Sequence, residues 1–273
     1  MANRNIKAIV CPNCGKLING DAESCMHCGM KNPGGRRWES PFRQLFKGKL
    51  DVIQKITYLC IGLYVIALLL DPSYMFKSSG FFGLLAPSPM VLYRLGAAGT
   101  YAMAAGKWWS LVTAIYLHGG LLHILFNLLW IRQIGPVVEE LYGSSRFMLI
   151  FTYSGVLGFI ASNLFHVPLT IGASGSIFGL LGALVFYGRH RGGVFGEAIF
   201  RQVMTWAVML FIFGFLFPGI NNYAHGGGFI GGYLAAQLLG YNERKHETQA
   251  HRTASTVTVI GTVVCFVLAF VVG

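Results

Sequence analysis

Charge is scarce in this 273-residue sequence: Asp, Glu, Lys and Arg make up 11% of it, against 54% hydrophobic residues, and the mean hydropathy is +0.57. So much apolar surface cannot be hidden inside one core of this size, which excludes a single water-soluble globule. Acidic residues are scarcest, ten in all, and they fall outside the apolar segments or at their ends, as Glu139 and Glu140 do. With no aspartate at membrane depth and no HExxH motif, an aspartyl protease and a zinc metalloprotease of the bilayer are both excluded. The first 53 residues contain no apolar run of signal-peptide length, so membrane entry is expected through later spans, without cleavage of the N-terminus. No repeat or low-complexity tract interrupts the chain.

What the sequence has in excess is apolar segments of spanning length, at 54–70, 120–138, 147–166, 174–188, 200–217, 223–240 and 254–272. They predict an all-α, multi-pass membrane protein in contact with a lipid bilayer. Several are interrupted by Gly or His, the pattern expected where neighbouring helices rather than lipid cover the irregular positions. The net charge of +11 invites a nucleic-acid reading, which the placement of the basic residues removes. With the N-terminus in the cytosol, 18 of the 21 Lys and Arg lie on the cytosolic side, leaving only Lys77, Arg94 and Lys107 on the other. This is the positive-inside pattern of an odd number of spans.

Four parts follow: a cysteine module at 1–30, a basic cytosolic linker at 31–53 containing Gly34, Gly35, Arg36 and Arg37, a membrane core at 54–241, and a charged loop with a further span at 242–273. The stretch 71–112 between the first two spans lies on the non-cytosolic side. Its Phe81, Phe82, Trp108 and Trp109 suit a loop lying in the interface.

Cys11, Cys14, Cys25 and Cys28 form two CxxC pairs, CPNC and CMHC, followed by Gly15 and Gly29. Two such turns present four thiolates, which close the tetrahedral shell of a structural Zn²⁺ and leave no open position for catalysis. A pair of disulfides or redox dithiols is the competing reading, disfavoured because the cytosol keeps thiols reduced. A module this short has no core of its own, so the metal would supply its folding energy. His27 is then a bystander, and Cys60 and Cys265 are read as packing residues of the spans. The segment resembles the short zinc-ribbon modules at the ends of many bacterial membrane proteins, which implies a cytosolic binding partner.

The polar groups left at membrane depth are His118, His123 and Asn127, then Ser174 in GASG, then His225 in AHGGG. The topology puts all five near the non-cytosolic ends of their helices. Small neighbours at Gly172 and Gly175 allow a sharp turn that exposes the Ser174 hydroxyl at a helix start, though a serine there is also an ordinary cap. The glycine pairs Gly175/Gly179 and Gly228/Gly232 let two helices approach closely. Close approach would let His225 take the Ser174 proton and return it to a leaving amine. With no carboxylate available this is a dyad, and Phe178, one turn after Ser174, is placed to stack on the imidazole. His123 and Asn127, spaced i, i+4, offer donors for an oxyanion from one helix face, or else hydrogen bonds between helices.

In sequence order, HGGLLHILFNLLW, GPVVEELYGSSRF, GASGSIFGLLGA and AHGGGFIGG resemble the rhomboid serine proteases across residues 54–241. The resemblance implies a six-helix bundle, here with an added seventh helix, that cuts transmembrane-anchored proteins just inside the outer membrane face. It implies Ser174 as nucleophile, His225 as base, and His123, Asn127 and the Ser174 N–H as the oxyanion hole, with no cofactor for catalysis. His118 matches a second histidine near the site, and Glu139 a glutamate that supports the fold from below. Two positions depart from the family pattern: Trp109-Ser110 stands where many members have Trp-Arg, and Phe178 where many have Tyr. The implied residence is a bacterial cell membrane. The competing readings are a catalytically inactive relative that binds membrane proteins, which typically lacks the Ser or His present here, and a transporter or channel, whose polar groups would be scattered in depth.

Overall fold

The computed structural model describes residues 8–11, 16–20, 22–29, 51–77, 83–217 and 219–272. Cys14, most of the linker, and Phe81 and Phe82 therefore lie outside the described residues. Contacts divide the chain into two units, Met1–Leu50 and Asp51–Gly273. In the first, β1 (Ala8–Val10) pairs antiparallel with β2 (Leu17–Asn19), Ile9 opposite Ile18. Cys11 follows β1 directly and is buried with Ile18 and Cys25, a core of three side chains that fits a small ribbon.

Among the described residues the second unit has seven long helices: α1 (Val52–Leu70), α2 (Leu121–Tyr142), α3 (Ser144–Leu164), α4 (Ser174–Arg191), α5 (Gly193–Leu216), α6 (Asn222–Leu239) and α7 (Gln249–Val272). Five of them, all but α4 and α6, are long and apolar enough to cross a membrane. The exceptions hold the glycines and polar groups that neighbouring helices cover. Most of α4 is buried, whereas α5 and α7 present large apolar side chains such as Val208, Ile212, Val263 and Val267 outward. That inversion of a water-soluble protein is what lipid as solvent requires.

Local chemistry sets the helix ends. Asp51 and Gln54 start α1 with reciprocal bonds, Asp51 Oδ1 accepting from the Gln54 N–H at 2.7 Å. Gly143 joins α2 to α3 at φ +87°, and a Cβ there would meet the Glu247 carboxylate at 2.6 Å. Glu247 accepts from the N–H groups of Ser145 (2.7 Å) and Arg146 (3.1 Å), a carboxylate on the positive end of α3. The Arg146 guanidinium, fully buried, donates to the carbonyls of Gly240 (2.7 Å) and Lys245 (2.6 Å) and to Asn242 Oδ1 (3.2 Å). This buried cation satisfies the loop that carries the chain from α6 to α7.

The segment between α1 and α2 is more than an interfacial loop. It forms short helices at Pro89–Arg94, Thr100–Ala104 and Ser110–Thr113, and buries Ala97, Ala98, Ser110 and Thr113 completely. Trp109 is buried against Cys265 and Ala269 of α7, while Trp108 stays exposed. The seventh helix thus covers Trp109, first of the Trp109-Ser110 pair.

The bundle centre is glycine against backbone. A Cβ on Gly228 of α6 would strike the carbonyl of Gly175 on α4, and one on Gly232 would strike that of Gly179. The two glycine pairs interlock, as close helix approach in a membrane demands. Gly232→Val is therefore expected to force α4 and α6 apart and cost at least ~1–3 kcal/mol, the usual range for overpacking. Gly62→Ala on α1, where a Cβ meets nothing within 4 Å, is expected to be neutral or slightly stabilising. Thermal unfolding of both variants in detergent measures the contrast.

Candidate active site

Three helices begin at the same end of the bundle, and each delivers one part of the site from its first turns: His123 and Asn127 from α2, Ser174 from α4, His225 from α6. The chain entering α4 is fixed before the helix begins. Ala98 and Thr170 exchange backbone bonds (3.0 and 2.8 Å), and the Gly172 N–H donates to the Ala114 carbonyl at 2.9 Å. Gly172 then turns at φ +116°, open to glycine and strained for other residues. A Cβ at Gly172 would lie 2.6 Å from His123 Nε2, so the missing side chain also makes room for that imidazole. Ser174 is the first residue of α4, where N–H groups precede the helical ladder and remain available.

The start of α6 is pinned by Asn221. Its Oδ1 caps the helix by accepting from Tyr223 and Ala224 (both 3.1 Å), and its Nδ2 donates to Ser162 Oγ and to Thr170 Oγ1 (2.9 Å). His225, one turn on, places Nε2 3.0 Å from Ser174 Oγ. Phe178 stacks on the imidazole at 4.3 Å between centroids and 15° between planes. Asn222, not anticipated from the sequence, holds Oδ1 3.1 Å from His225 Nδ1. Its position three residues before His225 on one helix was the available signal.

Hydrogen-bond logic assigns the neighbouring ring. The Gly119 N–H points at His123 Nδ1 (3.2 Å), which must then accept, so Nε2 carries the hydrogen and faces Gly172 as a donor. Asn127 spends one amide hydrogen on the His123 carbonyl at 2.8 Å and keeps a second. His123, Asn127, Phe178, Ser174 and His225 line one cavity of about 910 Å³, whose walls include Phe126 and Trp130 of α2 and Phe211 and Phe213 of α5. His118 is not part of that lining. It is completely buried behind His123, 5.2 Å between ring centroids, with Nδ1 on the Tyr116 carbonyl at 3.2 Å.

Of the remaining sequence candidates, Gly175 and Gly228 sit at the α4–α6 crossing below the Ser–His pair. Glu139 lies far from the cavity, about 24 Å of helix beyond His123, where it accepts from Ser144 Oγ at the α2–α3 corner. In the N-terminal unit, the sulfurs of Cys11, Cys25 and Cys28 lie within 4.8 Å of one another, Cys11 and Cys28 at 3.7 Å. Zn–S bonds of 2.3 Å at tetrahedral angles put sulfurs about 3.8 Å apart, so this cluster fits a metal. The His27 N–H directed at Cys25 Sγ (3.4 Å) is a donor such a thiolate would use.

A bundle of long helices, five of them apolar enough to cross a membrane, with a serine and a histidine meeting in one cavity, defines a class, integral membrane proteins. The particular family follows from comparison. The Rhomboid domain model matches residues 105–242, and the chain belongs to the rhomboid family. It is 41% identical to rhomboid protease GluP of Bacillus subtilis over 55% of this chain, and 36% identical to the putative rhomboid protease YdcA of the same organism over 58%. It is 33% identical to RHOMBOID-like protein 4 of Arabidopsis thaliana over 57%. The matches span 29%, 80% and 40% of those proteins' own lengths.

Gly172→Ala is expected to lower unfolding stability by ~1–3 kcal/mol, the cost of holding a side chain at a disfavoured φ. Its crystal structure or crosslinking pattern is expected to show the His123 ring displaced from the Ser174 turn.

Proposed function

We propose that this protein is an intramembrane serine endopeptidase that cleaves transmembrane-anchored proteins with Ser174 and His225. The contact that carries this reading is the 3.0 Å approach of His225 Nε2 to Ser174 Oγ inside a cavity that also holds unspent donors. His225 accepts the hydroxyl proton as Oγ attacks the scissile carbonyl, and the imidazolium then protonates the leaving amine. Water, activated by the same imidazole, releases the acyl group. The negative oxygen of each tetrahedral intermediate is met by His123 Nε2–H, the free Asn127 amide hydrogen and the Ser174 N–H. His118, buried behind His123, and Glu139, at the far corner, act on the fold rather than on the substrate. The protease core is assigned to 54–241, the ribbon to 1–30, the basic linker to 31–53, and the loop and added helix to 242–273.

The charge distribution supports a cytosolic N-terminus. Arg189, Arg191 and Arg244 fall at the bundle end opposite the cavity, so the same rule directs the cavity away from the cytosol. In the N-terminal unit, Cys11, Cys14, Cys25 and Cys28 are assigned as ligands of one structural zinc. Bound there, the ion would supply folding energy to the ribbon and nothing to hydrolysis.

Purified protein in detergent is expected to cut a generic transmembrane substrate, and Ser174→Ala and His225→Ala to abolish cutting. Uncut substrate from wild type, or equal cutting by Ser174→Ala, would sink the protease reading in favour of an inactive membrane-protein binder. His123→Ala and Asn127→Ala are each expected to lower kcat about 100-fold, the usual loss of one oxyanion donor.

Elemental analysis is expected to find one zinc per chain, lost when Cys11 and Cys14 both become Ser. A metal-free wild-type protein removes the zinc assignment.

A further inference from the structure

Stacking alone leaves the imidazole of His225 underdetermined. Phe178 fixes the plane of the ring, but a half-turn about Cβ–Cγ keeps that plane while carrying both nitrogens to the other side, and stacking leaves open which nitrogen holds the hydrogen. A base needs Nε2 toward the hydroxyl and without its hydrogen, which requires the hydrogen on Nδ1. The family's dyad contains no carboxylate to impose this, and none lines the cavity among the described residues.

Asn222 meets the requirement. Its Nδ2 lies 3.2 Å from the Phe211 carbonyl of α5, and its Oδ1 lies 3.1 Å from His225 Nδ1. A backbone carbonyl can only accept, so the amide nitrogen must face Phe211 and the amide oxygen must face His225. That oxygen can also only accept, so Nδ1 carries the hydrogen and Nε2 presents its lone pair to Ser174 Oγ at 3.0 Å. The amide is itself seated by α5: a Cβ on Gly214 would lie 2.8 Å from Asn222 Cγ, so the bare backbone there leaves the notch the side chain occupies.

We infer that Asn222 is the positioning residue of the catalytic histidine, fixing its tautomer and which way the ring is flipped, and tying both to the placement of α5. The site is then a Ser–His–Asn relay in which Asn222 acts only through His225. This rests on the reading of Ser174 and His225 as nucleophile and base.

The experiment compares wild type, Ser174→Ala, Asn222→Leu, Asn222→Ala and Asn222→Asp in detergent. Two readouts are used: the rate of labelling by a small fluorophosphonate, and kcat and KM on a transmembrane substrate. Leu is nearly isosteric with Asn but has no acceptor, so Asn222→Leu is expected to lower kcat and the labelling rate about 10- to 100-fold with KM unchanged. Asn222→Ala is expected to behave alike. Asp keeps an acceptor beside Nδ1, and Asn222→Asp is expected to hold most of the wild-type rate. Labelling of Asn222→Leu at the wild-type rate overturns the inference, and so does an equal fall in Asn222→Asp and Asn222→Leu, which would mark a packing role. If Asn222→Leu does not fold, the Ala and Asp variants decide by the same criterion. A wild type that neither labels nor cuts, like Ser174→Ala, removes the catalytic reading and this inference with it, whereas an active wild type with an indifferent Asn222 removes the inference alone.

Discussion

The close approach of α4 and α6 is the constraint on which the rest of this structure depends. Gly228 and Gly232 lie against the carbonyls of Gly175 and Gly179, with no side chain between the two backbones. In lipid there is little hydrophobic gain from joining helices, so association relies on packing, and small residues supply it by letting backbones meet. The same crossing sets the separation of Ser174, at the first residue of α4, and His225, in the first turn of α6. A larger residue at either glycine would lengthen that separation directly. Packing and chemistry are therefore two consequences of one contact.

The site is economical in the way it orients rings. Each histidine has one nitrogen committed to a neighbour of fixed character: Gly119 N–H at His123, the Tyr116 carbonyl at His118, and Asn222 at His225. Backbone groups cannot change from donor to acceptor, so the free nitrogen of His123 and of His118 has its role decided by the fold. His123 is left with a hydrogen to give. His225 is left with a lone pair. These opposite assignments within one cavity match the needs of an oxyanion and of a serine proton.

At the other end of the bundle the chain solves a different problem. The loop from α6 to α7 must turn without leaving carbonyls bare, and the buried Arg146 satisfies three of its acceptors while Glu247 returns to cap α3. The two show how charge is accommodated there: Arg146 is spent on two loop carbonyls and Asn242 Oδ1, and Glu247 on the first N–H groups of α3. The seventh helix that the loop launches covers Trp109 and so bears on the segment that also pairs with Thr170 just before Ser174.

The sequence by itself determined the long apolar helices and the family resemblance, and it raised the expectation of a glycine crossing, a Ser–His pair and a stacked Phe178. The helices are legible because spanning length and hydrophobic periodicity are local properties, whereas the other readings come from small-residue spacing, the charge-derived topology and the resemblance. Helix ends were less legible. α5 begins at Gly193 and α7 at Gln249, not at 200 and 254, because hydropathy marks the depth of lipid whereas pairs such as Arg201 with Glu197 continue a helix beyond it. Tertiary structure alone decided that 71–112 is part of the packed body, that His118 stands behind the cavity and not in its wall, and that Asn222 faces His225. Each of those depends on how the chain packs in three dimensions: the Thr170 backbone against Ala98, the His123 ring between His118 and Gly172, and the Phe211 carbonyl beside Asn222.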